Sequence, residues 1–229
     1  MCGRYTLTAD ADAIQLAFNL ETVSDQLQPR YNIAPSQAVP IITNEKSHEL
    51  TYVKWGLVPS WAKDPSVGYK MINARSETAS EKPSFRSAFK RRRCLIPSDG
   101  FYEWTKQDKS KVPMYIHLED NELFAFAGLW EVWQSPDGSE LQTCTILTTE
   151  PNDLIKPLHH RMAVILEKSD YDTWLDSDEV PTDVLQSLMK PYPQEKMRVY
   201  EVSTLVNSPK NDEPALIEPF QSPRQQSLF

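Results

Sequence analysis

The chain has 229 residues, 40% hydrophobic and 10% aromatic, with 24 basic and 32 acidic residues and a formal charge of −8. That is enough for one large domain or two small ones with a real core, and no apolar run approaches the roughly 18 residues of a transmembrane helix. The start lacks a basic-then-apolar leader, the three cysteines (Cys2, Cys94, Cys144) form no CxxC pair, and His48, His117, His159 and His160 complete no zinc pattern. A reduced, cytoplasmic protein with no metal, no cofactor and no membrane contact is expected.

In chain order, the first five residues carry the most chemistry. Removal of Met1 would make Cys2 the N-terminal residue, with an α-amine and a thiol on adjacent carbons. Their ordinary pKa values, about 7.7–8.0 and about 8.5, leave both partly reactive near neutrality. An aldehyde suits that pair: the amine gives a Schiff base, and the thiol closes onto it as a five-membered thiazolidine.

Thr8 is placed to cap a helix through about Leu20, with Ala13, Ile14, Ala17 and Phe18 on one face. Arg30–Ser36 reads as a loop held open by Pro35. Ala38–Thr43 and Leu50–Trp55 read as strands around a polar turn at Asn44–Glu49. Trp55–Trp61 combines two tryptophans with Gly and Pro, and its rings suit either a core or a platform on which bases stack. Met71–Thr78 leads into a short helical stretch. Cys94–Pro97 reads as a buried strand, Asp99-Gly100 as a turn, and Phe101–Trp104 as a strand with Glu103 between aromatics.

Met114–Leu118, Leu123–Trp130 and Leu141–Thr149 are three more strands, and Thr149–Asp153 starts a short helix with Pro151 in its first turn. Leu158–Met162 links into the apolar run Ala163–Leu166. Ser169–Leu175 and Thr182–Met189 read as helices and Arg198–Ser203 as a late strand. From about Asn207 the composition predicts an extended segment, and beyond Gln221 a disordered tail. Strands spread over the whole length, decorated by helices, predict one α+β domain over 1–220, with a barrel-like, mainly antiparallel sheet and a flexible tail at 221–229.

The charge is unevenly placed. Residues 167–219 hold 12 acidic and 5 basic residues, so the remainder is nearly neutral. It contains Arg4, Arg75, Arg86, the run Lys90–Arg93 and Arg161, so either a local basic face or a plain solvated strand end is compatible with the acidic total. Glu103 is either a salt-bridged structural acid or a desolvated proton carrier. His159 sits at a loop-to-strand junction. Asn73 and Arg75, two apart, share a face of an extended backbone, where Asn can hold a hydroxyl or amine and Arg a phosphate.

The motifs Met1–Tyr5, Arg30–Pro35, Trp55–Trp61, Asn73–Thr78, Asp99–Trp104, Ala127–Glu131 and His159–Met162 together resemble the SOS-response-associated peptidase (SRAP) family. The likeness runs in order from Cys2 to about Pro219. Ala163 departs from the proline usual after the Arg-Met pair, outside the proposed chemistry. The family's catalytic His lies two residues before the Arg, which selects His159 over His160.

The resemblance implies binding of single-stranded DNA and a covalent crosslink between Cys2 and the aldehyde of an abasic site. It implies that Cys2, Asn73, Glu103 and His159 are catalytic. Arg4, Arg75 and Arg161 would hold phosphates, and Trp61 and Trp104 would stack on bases. Capture by ring closure is expected to dominate over a minor strand-cleaving lyase activity, in a monomer associated with the nucleoid when on DNA. Two other classes fit the same residues: a cysteine peptidase with Cys2 as nucleophile, whose surest substrate is its own Met1–Cys2 bond, and a non-covalent single-strand binder. The end Gln225-Gln226-Ser227-Leu228-Phe229 resembles the Gln-x-x-Leu-Phe peptides that dock on a replication sliding clamp, through Gln225, Leu228 and Phe229.

Overall fold

A nearly continuous apolar run, Phe124 to Trp130, makes the strand on which the fold closes, because a strand apolar on both faces must be covered on both. The computed structural model describes residues 2–23, 27–107, 110–178 and 180–220. Its strands, in chain order, are β1 (Tyr5–Leu7), β2 (Arg30–Ile33), β3 (Ala38–Thr43), β4 (Lys46–Trp55), β5 (Asn73–Arg75), β6 (Arg93–Ser98), β7 (Gly100–Gln107), β8 (Ser110–Leu118), β9 (Phe124–Gln134), β10 (Glu140–Thr149), β11 (Met162–Ala163), β12 (Ile165–Leu166) and β13 (Met197–Glu201). Its α-helices are α1 (Ala11–Phe18), α2 (Ser76–Ala79), α3 (Arg86–Arg91), α4 (Tyr171–Leu175) and α5 (Thr182–Leu188).

β9 pairs with β6 through its first half and with β10 through its second. Since β10 also pairs with β4, β4 with β3 and β3 with β6, five strands close into a barrel. The β10–β4 pair is parallel and the other pairs of the ring are antiparallel. A second, antiparallel sheet runs β13-β8-β7-β1-β2. The two share one core, where Tyr5 meets Trp55 and Phe126 edge-on at 5.4 and 5.8 Å between ring centroids. The fold is thus the α+β, barrel-like domain that the strand pattern predicts. No helix among the described residues is long and apolar enough to cross a membrane.

Several local expectations are corrected. The first helix is capped by Asp10, whose carboxylate accepts from the Ala13 N–H, and it runs only Ala11–Phe18. Thr8 instead gives its hydroxyl, at 2.8 Å, and its N–H to Asp99. The Arg30–Ser36 stretch is not all loop, because Arg30–Ile33 is claimed by pairing with β1. The turn expected over Asn44–Glu49 is shorter, since β4 already begins at Lys46. Asp99-Gly100 is no hairpin turn. It is the step by which the chain leaves the barrel for the second sheet, and a side chain at Gly100 would put its Cβ 2.1 Å from the Tyr115 hydroxyl. Residues 153–158 form turns rather than a helix, with the Asn152 side chain accepting from the Ile155 N–H. The segment after Asn207 is not simply extended but includes the 3-10 turn Pro214–Ile217.

The run Lys90–Arg93 does not form one basic face. Arg93 is buried, its guanidinium donating to the carbonyls of Trp174, Phe89, Lys90 and Asp176. Arg92 pairs with Glu131 at 3.4 Å. The backbone groups at the end of α3 and past α4 need donors, and an arginine fork can serve several carbonyls at once.

Candidate active site

The register of β1 on β7 builds the site. Tyr5 lies opposite Phe101, so residues 2–4 run alongside 102–104, and the Tyr102 N–H donates to the Arg4 carbonyl at 2.9 Å. Alternation along β7 turns Phe101 and Glu103 to one face and Tyr102 and Trp104 to the other. Phe101 packs on Phe126 in the core. Glu103, on that same face, is therefore a carboxylate 4% exposed.

Cys2 has no exposed surface. Its thiol faces the Arg4 carbonyl at 3.9 Å, and its own carbonyl accepts from the Asn73 side-chain amide at 2.9 Å. The other end of that amide, Asn73 Oδ1, is buried with no hydrogen-bond partner among the described residues.

The electrostatics correct the expectation of a reactive thiol. Burial, reinforced by the nearby Glu103 carboxylate, pushes the Cys2 thiol up to about 12. It is a protonated thiol until something takes its proton. Desolvation likewise raises Glu103 above the ordinary carboxylate range. One buried group therefore holds its proton tightly, beside a second that binds a proton more readily than an ordinary carboxylate does.

β10 is the rail that brings the remaining residues together. Asn73 and Arg75 on β5 pair with Ile146 and Thr148, while Met162 and Ala163 on β11 pair with Thr149 and Thr148. His159 enters just before β11. His159 Nδ1 lies between two backbone groups of Arg161, 3.0 Å from its N–H and 3.2 Å from its carbonyl, which holds the ring beside β11. Partial burial lowers the pKa of His159, which favours its neutral form.

The expected DNA contacts divide. Arg75 is exposed, and its guanidinium makes no hydrogen bond among the described residues. Trp61 is 62% exposed. Arg161 is already held by Glu77, at 2.6 and 2.8 Å, and by the Thr148 carbonyl at 2.6 Å. Arg4 donates to Asn32 Oδ1 and the Val206 carbonyl at 2.6 and 2.7 Å, and it lies 5.8 Å over the Trp104 ring, whose N–H is taken by Asn207 at 2.7 Å. Arg4, Trp104 and Arg161 thus brace the site in this structure, whereas Arg75 and Trp61 face outward.

Sequence reasoning missed two partners. Glu77 holds Arg161. Buried Asn32 ties β2 to the Ser208 and Asn211 carbonyls at 3.0 and 2.7 Å. Both lie inside motifs noted above, but only folding assigns their contacts. Asn32 is 28 residues from Arg4 along the chain and Glu77 is 84 from Arg161.

A family model described as SOS response associated peptidase (SRAP) matches residues 1–209. The chain is 51% identical to abasic site processing protein YoqW of Bacillus subtilis over 222 residues, covering 95% of this chain and 99% of that one. It is 34% identical to abasic site processing protein HMCES of Gallus gallus over 227 residues, covering 85% and 67%. Among solved structures, a protein from Bacteroides thetaiotaomicron superposes with a TM-score of 0.86 at 30% identity, covering 96% of this chain and 100% of that one.

Proposed function

The chain belongs to the SRAP family, and we propose that it captures abasic sites in single-stranded DNA as a covalent thiazolidine on Cys2. The observation that carries this reading is the buried Cys2 thiol beside the Glu103 carboxylate, with the Cys2 carbonyl fixed by Asn73. The relatives named as abasic site processing proteins support the substrate class.

Removal of Met1 frees the Cys2 amine. The neutral amine adds to C1′ of the open-chain sugar, and the carbinolamine hydroxyl, protonated from solvent, leaves as water to give the iminium. The thiol sulfur then adds to C1′ while its proton passes to Glu103, and the iminium electrons return to nitrogen. Glu103 returns its proton when the ring reopens. The new ammonium beside the thiol pulls its pKa down, but burial and Glu103 continue to oppose ionisation, so a base is needed. His159 donates to a sugar or phosphate oxygen. Arg75 holds a flanking phosphate and Trp61 stacks on a neighbouring base. Strand cleavage is a minor outcome because the thiol traps the iminium first. A thiol held protonated in the core suits this trap better than a peptidase open to protein substrates.

The sliding-clamp reading falls on Gln225, Leu228 and Phe229, outside the described residues, and it stays a proposal from their sequence alone. Intact mass before and after mixing with single-stranded DNA carrying one abasic site tests the main reading. Loss of Met1, then a stable mass equal to protein plus DNA less one water, is expected. A free N-terminal Cys2 that forms no adduct refutes it.

A further inference from the structure

We propose that Tyr69, backed by Lys54, is a second base-stacking platform that extends the path of single-stranded DNA beyond the Cys2 site; this rests on the DNA reading above. Tyr69 lies in the 3-10 turn Pro65–Lys70 and leaves 64% of its surface exposed. The Lys54 ammonium lies 5.4 Å from its ring centre.

The segment that presents the ring is built to be rigid. Gly56, at φ +127°, and Gly68 approach so closely that a Cβ on Gly68 would lie 2.6 Å from the Gly56 carbonyl. The Leu57 N–H donates to the Met71 carbonyl at 3.1 Å and the Trp55 indole to Ile72 at 2.8 Å. The Trp133 indole holds Ala62 at 2.7 Å. Between these staples the same segment projects Trp61 outward as well. A core-seeking aromatic would be buried by so many fixings, yet here they hold two rings against water. Such rigidity lowers the ordering cost of binding a flat partner.

Charge selects the partner. From residue 54 to 75 there are four basic residues, Lys54, Lys63, Lys70 and Arg75, and one acidic residue, Asp64. The Asp64 carboxylate is occupied by the N–H and hydroxyl of Ser66. Lys63 and Lys70 are exposed and make no hydrogen bond or ion pair among the described residues. On a chain of net charge −8 this segment has an excess of cations interleaved with aromatic faces, the combination that tracks a single strand: cations for phosphates, rings for unpaired bases. A duplex hides its base faces and would gain only the cations. The segment also adjoins the site. Tyr69 is four residues from Asn73, so their Cα atoms lie at most about 14 Å apart, the span of about four stacked nucleotides.

The test uses fluorescence anisotropy on oligothymidylates of increasing length without an abasic site, alongside crosslinking of a short oligonucleotide centred on one. With long oligonucleotides, Tyr69→Ala weakens binding about five-fold or more, the low end for one lost base stack. Tyr69→Phe stays near wild type. Lys54→Gln flattens the dependence of log affinity on log salt by about 0.7, one lost phosphate. Crosslinking of the short oligonucleotide is unchanged in all three. If wild type binds and crosslinks but Tyr69→Ala binds long oligonucleotides equally well, the platform is wrong and the DNA reading stands. Equal loss on short and long DNA also overturns the platform. If wild type neither binds nor crosslinks, both fall.

Discussion

Glu103→Gln is the substitution that most directly probes the proposed chemistry, because it keeps the shape of the side chain while removing its charge and its capacity to accept a proton. Burial and the neighbouring carboxylate push the Cys2 thiol up to about 12, so near pH 7 the attacking sulfur still carries its proton. Glu103 takes that proton as sulfur adds, and general base assistance of this kind is worth about 10²–10⁴-fold.

Single-turnover mixing with abasic single-stranded DNA, quenched and resolved on a denaturing gel, gives the rate of adduct formation. Glu103→Gln lowers that rate about 10²–10⁴-fold and leaves affinity for intact single strands near wild type. The pH profile gives a sharper sign. In wild type the active form is the carboxylate, so the rate is present above the Glu103 pKa and lost as pH falls through it. Burial raises that pKa, so the loss begins at higher pH than for an ordinary glutamate. In Glu103→Gln only hydroxide can remove the thiol proton, so the rate climbs with pH across the neutral range. A variant rate within about three-fold of wild type, with the same profile, would show that Glu103 carries no proton in the step.

Two other substitutions separate positioning from stability. Asn73→Ala removes the bond to the Cys2 carbonyl and costs about 0.5–1.5 kcal/mol, or about 2–13-fold in adduct rate; Asn73→Asp is worse, because it sets a carboxylate oxygen against that carbonyl, and an Asp variant faster than Ala would refute the donor role. Arg93→Met strands the carbonyls that Arg93 serves and destabilises the fold by about 3–5 kcal/mol in urea unfolding, and Arg93→Lys restores little because one ammonium cannot match the fork.

Much of the fold was legible because burial leaves a local mark. The apolar run of β9 and the alternation in β7 announce their strands, and the ends Thr43, Leu118, Thr149 and Leu175 fall where the pattern stops. The misses share one cause. Arg30–Ile33 carries Arg, Tyr and Asn and ends before a proline, so it has loop composition, and it becomes a strand only because β1 offers an edge. Thr8 and Asp10 are both competent caps, and Asp99, 91 residues from Thr8, took Thr8 away.

By itself the sequence determined the barrel-like α+β architecture and the family, because residue types and motif order carry that information without contacts, and it nominated the set Cys2, Asn73, Glu103 and His159. Tertiary structure decided the protonation and the partners. The thiol is held protonated rather than primed, because desolvation depends on neighbours far apart in sequence and here outweighs the intrinsic pKa. Arg4 and Arg161, alike on paper with Arg75, are taken up by Asn32, Val206 and Glu77, and only packing shows which cations remain for a phosphate.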